Sequence, residues 1–281
     1  MKKLIGMILV FFLALGPAQA IKLDELKQKL SGKTSGESSQ PTDPRRMLLG
    51  VSEEDEILIG QEVGANLLGA SPLVQNEALQ RYVNTVGRWV ASQSERPNLP
   101  WHFGVIESND VNAFAAPGGY VFLTRGLYMK LTSEAELAGV LAHEVGHVIK
   151  RHHIEVMRKG AAISLGESFL QKKMQDNKNE YIKNLVGNGA EIFARSLDKN
   201  AEFEADRIGV VLATRAGYDP YSLPAVLQKI GAINPGDSSV SLLFKTHPHP
   251  EERLLKLSDA MGESLVPYEN ARGGGKLYKL K

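Results

Sequence analysis

The chain of 281 residues contains no cysteine. That excludes disulfide staples, thiolate metal sites and thiol nucleophiles, so any metal centre must be built from nitrogen and oxygen donors. An excess of one charge is also missing. Lys and Arg number 33 against 32 Asp and Glu, a formal net charge of +1, which leaves no electrostatic footprint for nucleic acid. Long apolar runs are scarce. The one at Leu4 to Leu15 is short for a membrane span of about 20 residues. No tetratricopeptide-type repeat is legible.

What is present at the N-terminus reads as a leader. Lys2 and Lys3 precede the apolar run, and Gly16, Pro17 and Ala18-Gln19-Ala20 follow it. A charged start, a short apolar core and an A-x-A site predict a signal peptide at 1–20, cleaved before Ile21, and a periplasmic protein. The stretch SGKTSGESSQPTDP at 31–44 is a polar linker. The predicted organisation is an N-terminal segment and linker at 21–50, one folded domain at 51–265, and a flexible basic tail at 266–281. A chain of this length can bury one sizeable core.

Helical patterning covers Ser52 past Leu68 and Val74 to Ser94, with Tyr82 and Trp89 expected in the core. WHFGVIES at 101–108 alternates as a strand, and Gly118-Gly119 turns into a second strand, Tyr120 to Thr124. Ser133 and Glu136 fit a capping box, so a helix starts there, with Gly160 as its expected stop.

That helix carries the most informative feature, HEVGH at 143–147. Residues four apart share a helical face, so His143 and His147 can grip one ion. Glu144 stands one step round, where a carboxylate can take a proton from water beside the ion. Leu137, Ala138, Val140, Leu141, Ala142, Val145 and Val148 surround the trio. Ionisable groups in so apolar a stretch are costly to bury without a partner, and a metal ion supplies one.

A catalytic zinc needs a third protein ligand and an open position. If the helix continues, His153 points away from His147 and His152 lies on the opposite face; both read as solvated. Glu167 has a thermolysin-like spacing, but Gln171 stands where an acidic partner is expected. Glu202 in NAEFEAD at 200–206 is favoured. It pairs at i,i+4 with Asp206, so one carboxylate can bind metal while the other holds the outer nitrogen of a ligating histidine. Glu204 falls on another face and reads as surface.

HEVGH followed by EFEAD resembles the zinc metallopeptidases of the HtpX and CAAX-prenyl-protease type, in a soluble periplasmic form. NAFAAPGGYVFLTRGL at 112–127 and THPHPEERL at 246–254 are similar to two further blocks of that family, in the same order. The resemblance implies an α+β, mostly helical, zincin-like fold with a small sheet beside the metal helix. It implies one zinc ion per chain held by His143, His147 and Glu202, with Glu144 as general base and Asp206 orienting a ligand. It also implies that Asn112, Ala113, Phe114 and Ala115 form a substrate-binding edge, where a peptide adds as a strand; the residues alone read equally as a plain loop in which Asn112 caps a turn. The expected activity is endopeptidase cleavage of unfolded or misassembled envelope proteins, with His247 or Arg253 as further catalytic residues and outer-membrane assembly machinery as a partner. His247 has three readings: a latch on the fourth metal position, an oxyanion stabiliser, or a solvated loop residue. The rival function is a metal-binding chaperone or assembly factor with little turnover. Residues 160–190 read as a flap or plug over the cleft or a surface-lying amphipathic element, and equally as helical packing against the metal helix.

Overall fold

A computed structural model gives the structure of residues 42–171, 197–268, 271 and 275–280. The expected leader, most of the expected linker and residues 172–196, which include most of the stretch read as a flap or as packing, lie outside the described residues.

Helix α1 (Pro44–Leu49) is capped by Asp43. Ser52 opens α2 (Glu53–Ala70) with a full capping box, its hydroxyl accepting the Asp55 N–H while the Asp55 carboxylate accepts the Ser52 N–H. Asn76 caps α3 (Glu77–Ala91), which buries Leu79, Val83, Val86 and Val90 on one face. Trp89, expected in the core, lies off that face. It is 52% exposed and its indole N–H donates to the Ala216 carbonyl. Its polar edge is satisfied at the surface while part of the ring stays wet.

Three strands follow: β1 (His102–Ile106), β2 (Ala113–Ala116) and β3 (Tyr120–Thr124). The sheet order is β1-β3-β2. β1 runs parallel to β3, and β2 antiparallel, with Ala113 opposite Leu123 and Ala116 opposite Tyr120. Among the described residues β2 is therefore an edge strand. Gly118 and Gly119, at φ 72 and 102, make the turn into β3 in a region that L side chains avoid.

After α4 (Arg125–Tyr128), Ser133 caps α5 (Glu134–Ile149) by accepting the Glu136 N–H. The expected return bond goes one residue further back, the Glu136 carboxylate accepting the Thr132 N–H at 2.7 Å. Residues 136–148 are all buried, so α5 is the central helix of the domain.

The predicted run to Gly160 does not occur. α5 stops at Ile149, Arg151 takes φ 56, and a new helix α6 (His152–Gln171) begins. A left-handed non-glycine residue costs about 1–2 kcal/mol and must be held from elsewhere. Glu56 holds it. This fully buried carboxylate forms an ion pair with Arg151 Nε at 3.0 Å and accepts from both terminal nitrogens of Arg96 at 2.9 Å and from the Gly118 N–H at 3.2 Å.

α7 (Lys199–Arg215) packs along α5, and the two backbones meet at glycines. A methyl group on Gly209 would sit 2.9 Å from the His143 nitrogen, and one on Gly146 would sit 3.2 Å from Ala205 Cα. α8 (Ser222–Gly231), α9 (Ser241–Thr246) and α10 (Pro250–Met261) complete the described helices. The main core runs between α3, the sheet, α5, α7 and α8. Part of the expected loose tail is docked on it. The Gly275 N–H donates to Glu134 at 2.8 Å, Tyr128 Oη donates to the Tyr278 carbonyl at 2.6 Å, and Leu277, Tyr278 and Leu280 pack against the core. No described helix is long and apolar enough to cross a membrane.

Candidate metal centre and its cleft

The i,i+4 spacing on α5 aims two imidazoles at one point. His143 Nε2 and His147 Nε2 lie 3.0 Å apart. The close α5–α7 packing brings Glu202 to the same point, Oε1 3.5 Å from His147 Nε2 and Oε2 3.7 Å from His143 Nε2. His247 completes the group, its Nε2 3.7 Å from Glu202 Oε2. It caps the C-terminus of α9, and Pro250 starts α10 three residues later, so the connection that presents it is short. Its Nδ1 is within 2.9 Å of the Thr246 hydroxyl.

The residues fit a metal ion. One ligand atom from each of His143, His147, Glu202 and His247 lies within 4.8 Å of the others, a cluster compact enough to close around one ion with bonds near 2.0–2.1 Å. Both Glu202 oxygens are buried without a hydrogen-bond partner. Burial pushes that carboxyl up to about 8, a cost that a cation relieves. Burial, followed by the Arg253 charge, pushes His143 below its ordinary value, and burial drives His147 and His247 well below theirs. Neutral imidazoles are the form that binds metal.

The surrounding groups fix which ring nitrogen faces inward. His143 Nδ1 lies 2.9 Å from Asp206 Oδ1. Arg253 grips the same carboxylate with Nε at 2.9 Å and a terminal nitrogen at 2.6 Å. Burial pushes Asp206 up, but the Arg253 guanidinium and the His143 contact hold it well below the carboxylate range. An ionised Asp206 accepts the Nδ1 proton and leaves His143 Nε2 with a free lone pair. The guanidinium also reaches to 3.3 Å from the His143 ring.

On the other side stands a partner that periodicity missed. His152, only 8% exposed, places its Nδ1 2.9 Å from His147 Nδ1, and its Nε2 is 3.3 Å from Glu204 Oε2. His153 is half-buried, its ring centroid 5.9 Å from that of His147. Neither histidine is a solvated bystander, and Glu204 is not mere surface. The break at Arg151 turns both rings back toward the site, whereas a continuous helix would have carried them away. The side chain of Glu167 lies outside the described part.

Glu144 is 4% exposed, and burial pushes its carboxyl up to about 8. With His147, His153 and His247 it lines a cleft whose further wall is Ala113, Phe114 and Ala115 of β2. Asn112 does not face outward. Its N–H donates to Thr124 Oγ1 at 3.0 Å, its Oδ1 accepts the Ala113 N–H at 3.0 Å, and its Nδ2 is buried without a partner.

Residues 77–261 match the model of peptidase family M48. The chain belongs to that family. This M48 chain is 30% identical over 237 residues to the beta-barrel assembly-enhancing protease of Yersinia pestis, covering 81% of this chain and 48% of the relative. With the protein of the same name from Escherichia coli K12 it shares 32% over 220 residues, 73% of this chain and 45% of the relative. The mitochondrial metalloendopeptidase OMA1 of Arabidopsis thaliana is 28% identical over 230 residues, 80% of this chain and 46% of the relative. The M48 chain thus spans about half the length of these curated relatives. Its architecture is the mostly helical, zincin-like one that the motif implies, with a small sheet beside the metal helix.

Proposed function

We propose that this protein is a zinc-dependent endopeptidase that hydrolyses unfolded or misassembled envelope proteins in the periplasm. The observation that carries the reading is Glu202, a buried carboxylate with two orphaned oxygens facing two imidazoles, next to a second buried carboxyl, Glu144, that the cluster does not use. A purely structural metal site has no use for that second group. The signal-peptide pattern at 1–20 supports export. The names of the beta-barrel assembly-enhancing relatives support envelope substrates and an association with outer-membrane assembly machinery.

The proposed roles follow from position. His143, His147 and Glu202 hold the ion, with Asp206 fixing the His143 tautomer. Zinc held there would polarise the scissile carbonyl and lower the pKa of an adjacent water. Substrate lies as an added strand along β2, with Ala113, Phe114 and Ala115 offering the edge and Asn112 holding its start. Such binding reads backbone, which suits unfolded chains. Glu144 takes the proton of the attacking water and returns it to the leaving amine. A carboxyl pushed up by burial is matched to both halves of that transfer. His247 is a fourth donor, its nitrogen standing where a catalytic site keeps an open position, so it acts as a latch that must swing away before water enters. Arg253 acts through Asp206 and His143.

The test is cleavage of an unfolded outer-membrane barrel protein by the zinc-loaded enzyme, with a chelator and with Glu144→Gln. Chelation and the substitution should each abolish cleavage, while Glu144→Gln keeps its zinc. Full activity of Glu144→Gln would overturn the assignment.

A further inference from the structure

Three imidazoles turn a ring nitrogen toward the metal cluster, and each has a partner on its other nitrogen. His143 has Asp206 at 2.9 Å, His147 has His152 at 2.9 Å, and His247 has Thr246 at 2.9 Å. The first two partners come from separate helices, α7 and α6. The third is the chain neighbour of the ring it touches, and the proposed mechanism gives it no part.

Adjacent residues on a helix do not face each other, so this contact depends on the chain leaving the helix between them. Thr246 ends α9, and His247 departs from it with φ −123 and ψ 148. Pro248 accounts for the departure, because the residue before a proline is pushed into extended backbone. The turn brings the imidazole back to the Thr246 side chain, which is 7% exposed. A hydroxyl has one proton to give. Thr246 gives it along the helix, to the Leu242 carbonyl at 3.0 Å, with the Leu243 carbonyl sharing it at 3.2 Å. A lone pair is left to face His247 Nδ1, so that nitrogen carries the ring proton. Nε2 is then the bare nitrogen, and it is the one that lies 3.7 Å from Glu202 Oε2.

We infer that Thr246 is a positioning residue that sets how firmly His247 closes the fourth metal position. Its hydroxyl selects the tautomer able to coordinate, and it does so as the weakest acceptor of the three partners. Asp206 is an ionised carboxylate, and hydrogen bonds to charged groups are about twice as strong as neutral ones. His152 offers an imidazole nitrogen, a better acceptor than a hydroxyl oxygen. A partner that accepts more strongly makes its imidazole a more basic ligand. His143 and His147 are thereby the permanent donors, and His247 is the one that can let go. The inference rests on the latch reading of His247 and adds to it the group that tunes the latch.

The experiment titrates the zinc-loaded full chain with acetohydroxamate, a small chelator that needs the position His247 holds, and reads binding by calorimetry. Apparent affinity for such a probe scales with the fraction of chains in which the latch is open. Thr246→Val removes the acceptor with little change of shape and should tighten binding by about 2- to 10-fold, the net worth of one hydrogen bond. Thr246→Ser keeps the hydroxyl and should stay within about twofold of the parent. His247→Ala should bind the probe most tightly, and adding Thr246→Val to it should change nothing further. A merely structural Thr246 would instead act equally in both backgrounds. Nitrogen NMR of the His247 ring in the zinc-loaded parent, assigned by comparison with His247→Ala, should place the proton on Nδ1. That measurement decides should Thr246→Val not fold. A proton on Nε2, an unchanged affinity in Thr246→Val, or an equal gain from it in the His247→Ala background would overturn the inference. No gain in His247→Ala itself would sink the latch reading and the role of Thr246 with it. The expected affinities with no substrate cleaved would leave Thr246 in its role and sink the peptidase reading instead.

Discussion

Replacing His152 by Ala should weaken metal binding although His152 is not among the four converging donors. His147 turns Nε2 toward the cluster, so in the neutral ring its proton sits on Nδ1, 2.9 Å from His152 Nδ1. Burial keeps His152 below its ordinary value, so its Nδ1 can accept that proton while Nε2–H donates to Glu204. Removing the ring leaves a buried N–H unpaired beside a ligand that is 1% exposed. An unsatisfied buried donor costs about 1–3 kcal/mol, which at about 1.4 kcal/mol per decade is roughly 10- to 100-fold, the range seen when partners of metal-ligating histidines are lost. Zinc affinity measured by competition with a chromophoric chelator should therefore fall by about 10- to 100-fold in His152→Ala. The fall should be larger in Glu202→Ala, which removes a donor outright. Glu204→Gln should lose less, because the Glu204 side chain is 43% exposed and its contact is 3.3 Å. An affinity of His152→Ala within threefold of the parent, at matched thermal stability, would refute the reasoning.

Three other outcomes are expected. His247→Ala should raise cleavage of an unfolded substrate if the imidazole is a latch; a loss on the order of 10²-fold would make it an oxyanion stabiliser, and an unchanged rate would remove it from the site. Gly209→Ala should lower both the melting temperature and zinc affinity, because the added methyl meets His143 backbone at 2.9 Å, and overpacking typically costs 1–3 kcal/mol; calorimetric melting with chelator competition checks both. Asp206 has its folded-state pKa depressed, so its contribution is present above the unfolded value near 4 and is lost as pH falls toward the folded one. Acid melts should accordingly show Asp206→Asn less stable at neutral pH and with a flatter acid limb below about pH 4.

The parts of the site carried by local periodicity were legible. HEVGH and the i,i+4 pair Glu202 and Asp206 needed only a helix to share a face, and Ser52, Ser133 and the strand Tyr120–Thr124 sit where capping and turn chemistry put them. What was not legible was set by distant contacts. A left-handed arginine at position 151 contradicts its own propensity and persists because Glu56, far upstream, grips the guanidinium. Without that contact in view, the helix reads straight through to Gly160, and His152, His153 and Glu204 read as surface. The signal that could have exposed the break was the pair His152-His153 after Lys150-Arg151, too many polar side chains for a helix buried as completely as α5. The docked tail was hidden for a similar reason. NARGGGKLYKLK is polar and glycine-rich in composition, while its Leu277, Tyr278 and Leu280 find a greasy seat that only the assembled core creates.

Glu56 has a consequence for where this chain can be cut. The stretch that matches the peptidase family begins at residue 77, yet the carboxylate that neutralises Arg96 and Arg151 and pins the turn before β3 lies in α2, ahead of that point. A fragment trimmed to the matched stretch would retain His143, Glu144, His147 and Glu202 and still lose the clamp that aims α6 back at them. It would face two half-buried guanidiniums with no counter-charge. Competence of the metal site is therefore conditional on the docking of the N-terminal helix, and a half-folded chain would carry the HEVGH motif without a finished site.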